Sequence, residues 1–153
     1  MAFYQLHVTQ KIPAPPEQVW DFISSPHNLK RITPPSMGFD ITSGDLPEKM
    51  YPGMIISYKV SPVAGIRTTW VTEITHVSEM KFFVDEQRVG PYSLWHHQHR
   101  IEPVEQGTLM TDIVSYRPPF GVLGALANRL FIRKKLQQIF DYRQRSLEMI
   151  FGK

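Results

Sequence analysis

The sequence predicts an α+β fold: an antiparallel sheet of about seven strands, two short helices after the first strand, and one long C-terminal helix. Three observations carry this. Between residues 37 and 116, short runs of alternating apolar and polar side chains are separated by turn residues, the spacing of an antiparallel meander. Beyond Gly121 the apolar spacing changes to threes and fours, the period of a helix. Between the first strand and the meander, Lys11 to Pro35 (KIPAPPEQVWDFISSPHNLKRITPP) breaks twice at prolines, so it can hold only clipped helices.

Taken in order, residues 3 to 12 suit a strand with one better-buried face. Pro13 and Pro15 end it, and Pro16 suits the first turn of a helix whose apolar face is Val19, Trp20, Phe22 and Ile23. Pro26 stops that helix, and a second short one containing Leu29 and Ile32 runs to Pro34-Pro35. Met37–Thr42 reads as a short strand, followed by a Gly- and Pro-punctuated loop and a strand at Met54–Val60. Pro62 and Gly65 mark a turn before Ile66–Val77, with Ile66, Trp70 and Ile74 on one face. Lys81–Arg88, Tyr92–Glu102 and Thr108–Tyr116 complete the sheet, separated by Gly90-Pro91 and Glu105-Gln106-Gly107. In the final helix Leu123, Leu126, Leu130, Leu136, Ile139, Phe140, Leu147 and Ile150 form one apolar stripe. About 28 residues at 1.5 Å each reach ~40 Å, enough to cross the sheet.

The 153 residues, 42% hydrophobic, fit a single domain over 1–153 with room for a core and a cavity. No apolar run approaches the roughly 18 residues of a membrane span, and the Met-Ala-Phe-Tyr start lacks the regions of a signal peptide, so a cytoplasmic protein is expected. The absence of cysteine excludes disulfides, thiol nucleophiles and thiolate metal sites. A formal charge of +3 is too small to imply nucleic acid, and no nucleic-acid partner is expected.

Strand periodicity sorts the residues that can carry chemistry. Trp95, His97, His99 and Ile101 share one face, opposite Leu94, His96, Gln98 and Arg100; the Trp95 face is the expected inner one, since Arg100 and Gln98 favour water. On the next strand Thr108, Met110, Asp112, Val114 and Tyr116 share a face. If that face is also internal, a carboxylate sits near two imidazoles and a phenol. Such a group can fix the polar end of a ligand. It also suits general acid/base chemistry, with Asp112 orienting His97 or His99 and Tyr116 donating to a substrate carbonyl. A His-x-His pair can offer two zinc ligands, with Asp112 or Glu73 as the third; without a clear third ligand no metal is expected, and no other cofactor. The bland alternative for Asp112 is a surface ion pair with Arg100 or Arg117. Arg129, Arg133, Lys134 and Lys135 form a basic cluster that is either a solvated face or a surface for transient contact with anionic lipid headgroups.

The words IPAPPEQVWDFISSPHNLKRITPP, GPYSLWHHQHRIEP and TLMTDIVSYRPPFGVLG, with the element order, resemble the helix-grip fold of the START and birch-pollen-allergen superfamily, SRPBCC. The latter two words resemble its bacterial branch of polyketide cyclases, dehydrases and lipid-transport domains. The resemblance implies a curved sheet wrapped around the last helix with a hydrophobic cavity between them. The expected function is binding of a small hydrophobic or amphipathic molecule, lipid or polyketide-like. Trp70, Phe83, Trp95, Met110 and Phe131 would line the cavity, and His97, His99, Asp112 and Tyr116 would fix a polar end. Two alternatives remain: a cofactor-free cyclase or dehydratase using the same four polar residues, and a protein-interaction module whose cavity is filled. Oligomeric state is not encoded in any motif.

Overall fold

A computed structural model describes residues 3–62 and 65–153. Strand β1 (Tyr4–Ile12) leads through Pro13 and Pro15 into helix α1 (Pro16–Ile23), which buries Val19, Trp20, Phe22 and Ile23. Pro16 fills a first-turn position where no backbone N–H is needed. A 3₁₀ helix over Pro26–Ile32 follows, then a single 3₁₀ turn over Pro35–Met37. The meander comprises β2 (Asp40–Ile41), β3 (Met54–Val60), β4 (Thr68–Ser78), β5 (Phe82–Val89), β6 (Leu94–Val104) and β7 (Gly107–Arg117). The sheet order is β1-β7-β6-β5-β4-β3-β2, all antiparallel, so the first strand closes against the last. Register shifts at Val71/Thr72 and Ile74/His76 bend β4 against β5, the usual effect of a bulge.

Three expectations are corrected here. The strand expected over Met37–Thr42 shrinks to Asp40–Ile41, because Pro34-Pro35 starts a tight turn that Gly38 ends in a left-handed conformation, φ 56°. Ile66 does not share the inner face of Trp70 and Ile74; it precedes β4 and is exposed. Of the turn expected between Pro62 and Gly65, Val63 and Ala64 lie outside the described residues.

The third correction concerns the long helix, residues 121–151. It runs as α2 (Gly121–Ala127), a π turn (Asn128–Ile132) and α3 (Arg133–Phe151). An extra residue in a π turn rotates everything beyond it by about 100° relative to a regular helix. In α3 the expected stripe holds: Leu136, Phe140 and Leu147 are buried. In α2 and the π turn the inward positions are Gly124, Asn128 and Ile132 instead. A Cβ at Gly124 would stand 2.0 Å from the Pro119 carbonyl oxygen, so the backbones meet too closely for any side chain. The Asn128 Oδ1 accepts a hydrogen bond from the Tyr116 hydroxyl at 2.8 Å. Leu123, Leu126 and Leu130 consequently stand in solvent rather than in the stripe.

One packed region lies beneath α1, where Trp20 meets Phe83 edge-on and Ile101, Met110 and Leu147 fill the interior. A second joins Val114 and Tyr116 to Ile132, Leu136 and Phe140. A third gathers Met37, Phe39, Val60 and Trp70 at the other end of the sheet. The cavity lies among the three.

Candidate ligand cavity and its charged wall

The cavity measures about 130 Å³. Its apolar lining comes from Met37, Phe39, Ile56, Trp70, Phe83 and Trp95 on one side and Ile132, Leu136, Ile139 and Phe140 of the long helix on the other. Trp70 and Trp95 meet edge-on with centroids 5.2 Å apart. At one place the lining turns polar: Asp85, His97, His99 and Arg143 all reach it.

Cross-strand register builds this polar wall. Asp85 of β5 pairs directly with His97 of β6, and Asp112 of β7 pairs directly with His99. Each carboxylate is thus opposite one imidazole and diagonal to the other, both within side-chain reach on one face. Asp112 Oδ1 lies 2.8 Å from His97 Nε2 and 3.2 Å from His99 Nδ1. Asp85 Oδ2 lies 2.5 Å from His99 Nε2 and 3.5 Å from His97 Nδ1. The two imidazole rings lie against each other, tilted by 33°, with centroids 3.7 Å apart, and His99 stacks on Phe83 at 4.1 Å. Arg143 of α3 closes the group, one terminal nitrogen 3.6 Å from Asp112 Oδ1 and its guanidinium over the Phe140 ring.

The protonation pattern follows from these contacts. Burial would raise both carboxyl groups, but hydrogen bonds and charge from the imidazoles, with Arg143 nearby, hold Asp112 and Asp85 below the usual range. For His99, burial works against the charged form, and its bonds to Asp112 and Asp85 overcome it, so its pKa is raised. For His97, burial and the charge of His99 outweigh the carboxylates and lower it. Between the lowered pKa of His97 and the raised pKa of His99, two anions face two cations, His99 and Arg143. His97 donates from Nε2 to Asp112, a tautomer assigned from the network, which leaves its Nδ1 lone pair on the Asp85 side.

Asp85, His97 and His99 also offer three ligand atoms within 4.8 Å of one another, the arrangement that could hold a metal ion. The third member is Asp85, not Asp112 or Glu73: Glu73 points to the outer face, where it pairs with Arg88. Both carboxylates already have cationic partners, so the group is electrically complete as an ion-pair network.

Trp70, Phe83, Trp95, His97 and His99 stand on the cavity wall. Four other residues chosen from the sequence do not. Met110 packs in the region beneath α1. Asp112 stands behind the histidines, buried, and makes no surface ion pair with Arg100 or Arg117. The Tyr116 hydroxyl is committed to Asn128 and is not free for a substrate. Phe131 faces outward because the π turn hands the inward position to Ile132. Two charged residues of the polar wall escaped the sequence reading although their signals were there. Asp85 is two residues from Phe83 on an alternating strand, so it shares that inner face. Arg143 lies three residues after Phe140 and seven after Leu136, on the buried stripe of α3.

Residues 12–141 match the family model described as polyketide cyclase / dehydrase and lipid transport. The chain belongs to this family. It is therefore a member of the SRPBCC superfamily, and its curved seven-stranded sheet with a long C-terminal helix is the helix-grip fold. Solved structures of the same fold include protein CV1439 from Chromobacterium violaceum, 11% identical, TM-score 0.73, over 97% of this chain and 98% of that one. Major latex-like protein 151 from Panax ginseng is 14% identical, TM-score 0.70, over 97% of each chain. Ara h 8.0201 is 12% identical, TM-score 0.66, over 98% of each. No curated protein sequence matches the chain. The family points to hydrophobic-ligand binding or to cyclase/dehydrase activity, and no helix is long and apolar enough to cross a membrane.

Proposed function

We propose that the protein binds, without transforming it, a small and mostly apolar molecule that ends in a carbonyl or carboxylate. The observation that carries this reading is a pair of donors: among the described residues, Trp70 Nε1 and Arg143 Nε are buried without a hydrogen-bond partner, and both residues line the cavity. An unsatisfied buried donor costs about 1–3 kcal/mol, and an acceptor on the ligand would recover it. The volume of about 130 Å³ is near the roughly 150 Å³ that accommodates a benzene in an engineered cavity. That supports a ring-sized body over a whole acyl chain.

Titration of tryptophan fluorescence with naphthalene, naphthaldehyde and naphthoate tests this. The acceptor-bearing probes are expected to bind about tenfold tighter, one hydrogen bond's worth, and Trp70→Phe, which keeps an aromatic wall and removes the donor, should reduce that advantage. Equal affinity for all three, or none for any, would overturn the reading. Native mass spectrometry with extraction of the purified protein would then identify the bound molecule.

A second reading is favoured by His97. Burial and the charge of His99 favour its neutral form, it reaches the cavity, and Asp112 orients its ring, as a general base for a cofactor-free cyclisation or dehydration requires. It requires His97→Gln to abolish turnover while probe binding persists; loss of both together returns the site to binding alone.

A further inference from the structure

The start of the long helix presents an apolar face to water. Phe120, Val122, Leu123, Leu126, Leu130 and Phe131 are between 46% and 86% exposed. This face is specified by the fold and not left over from it. Gly124 and Asn128 take the inward positions, one because the Pro119 carbonyl leaves no room for a side chain and one because Tyr116 binds it. Val122, Leu126 and Leu130, spaced by four, are thereby turned outward together. Phe120 enters the helix from a left-handed conformation, φ 67°, which a bulky residue adopts at a cost, and its ring ends in solvent.

The charge around this face has one sign. Between Asp112 and Asp141 the sequence contains no Asp or Glu, and it contains Arg117, Arg129, Arg133, Lys134 and Lys135. Arg129, Arg133 and Lys134 are exposed beside the apolar residues. Large apolar side chains with a basic border are what an anionic bilayer surface accepts: the rings and leucines enter the headgroup boundary and the cations meet the phosphates. A second copy of this chain fits poorly, because a two-fold contact would set the basic border against its own image.

We propose that residues 120–134 dock the protein reversibly on an anionic lipid surface. The docked segment is continuous with the cavity wall, since Ile132, Lys135 and Leu136 face the cavity from the next turn. Docking therefore brings the helical wall of the cavity to the bilayer.

Cosedimentation with vesicles of phosphatidylcholine, with and without about 30% phosphatidylglycerol, tests the proposal. At low salt the wild-type protein is expected to partition at least about tenfold better onto the anionic vesicles, with the preference falling as salt screens it. The Leu126→Asp/Leu130→Asp variant should lose about tenfold or more in partition, with an unchanged circular dichroism spectrum. Arg129→Gln/Arg133→Gln/Lys134→Gln should abolish the preference for anionic over neutral vesicles. No partition of the wild-type protein, or equal partition by the wild-type and Asp variants, would overturn the proposal. So would sedimentation velocity showing a wild-type dimer that the Asp variant dissolves, in the absence of vesicle binding.

Discussion

The charged wall of the cavity and the outer face of α2 and the π turn reverse the ordinary distribution of residues in opposite ways. Asp85, His97, His99, Asp112 and Arg143 are ionisable groups inside; Val122, Leu123, Leu126 and Leu130 are apolar groups outside. Both kinds of reversal carry more information than a conventional core. They differ in how they are held. Every member of the buried group is a partner of another, so removing one strands the rest. The exposed leucines are not tied into such a network, and the fold is expected to be indifferent to them. Stability should therefore respond strongly to the first region and hardly to the second.

Asp112→Ala should give the largest effect. It removes the carboxylate that His97, His99 and Arg143 share, leaving buried cationic groups uncompensated. A change of that kind costs about 3–5 kcal/mol, measurable as a shift in the urea midpoint. A loss below about 1 kcal/mol would mean that the network is open to water and behaves like a surface ion pair.

The same network sets a smaller, pH-dependent effect. His99 has a raised pKa in the folded protein, so its contribution is fully present below its unfolded value of about 6.5 and is lost as pH rises through the folded value. His97 is lowered and acts oppositely: its contribution is present above about 6.5 and fades as pH falls. The two partly cancel in the wild-type protein. Comparing it with His99→Gln isolates one of them. The stability difference should shrink from pH 6 to 9, by no more than about 1.4 kcal/mol per pH unit for a single proton. A flat difference would place the proton elsewhere. The depressed Asp85 and Asp112 add stability present above about pH 4 and lost on further acidification.

How far each region was legible follows from what holds it. Period two places Trp95, His97 and His99 on one face, and the same rule applied from Phe83 places Asp85 there as well. The order of elements along the chain and the clipped α1 follow from prolines, glycines and apolar spacing, which act over a few residues; the pairing of β1 with β7 does not. Facing strands, however, pair residues far apart in sequence. That Asp112 lies behind the histidines and not on the cavity surface depends on the β6–β7 register, which no local pattern encodes. The helix was legible in α3 and misleading in α2, because Leu123, Leu126 and Leu130 recur by three and four like a core stripe, whereas the buried line of α3 runs back from Leu136 in steps of four through Ile132, Asn128 and Gly124 across a π turn. The one local trace of that turn is the inward pair, Gly124 and Asn128, and its meaning depends on Pro119 and Tyr116.

The smallest expected effect is the sharpest test of the contrast. Leu126→Asp/Leu130→Asp places two carboxylates on a helix face that a hydrophobic stripe would normally bury. A core pair changed in this way would unfold the protein, since an unpaired buried charge costs several kcal/mol. Here Leu126 is 52% and Leu130 66% exposed, and Arg129, Arg133 and Lys134 are close in sequence to receive the new charge. Substitutions at such sites fall within about 0.5 kcal/mol of zero, and these two carboxylates, close to the basic residues, should stay there. Thermal and urea unfolding should be unchanged within that margin. A loss above about 2 kcal/mol would mean that the face packs against part of this chain, and the exposed leucines would then belong to the core that the π turn turns them away from.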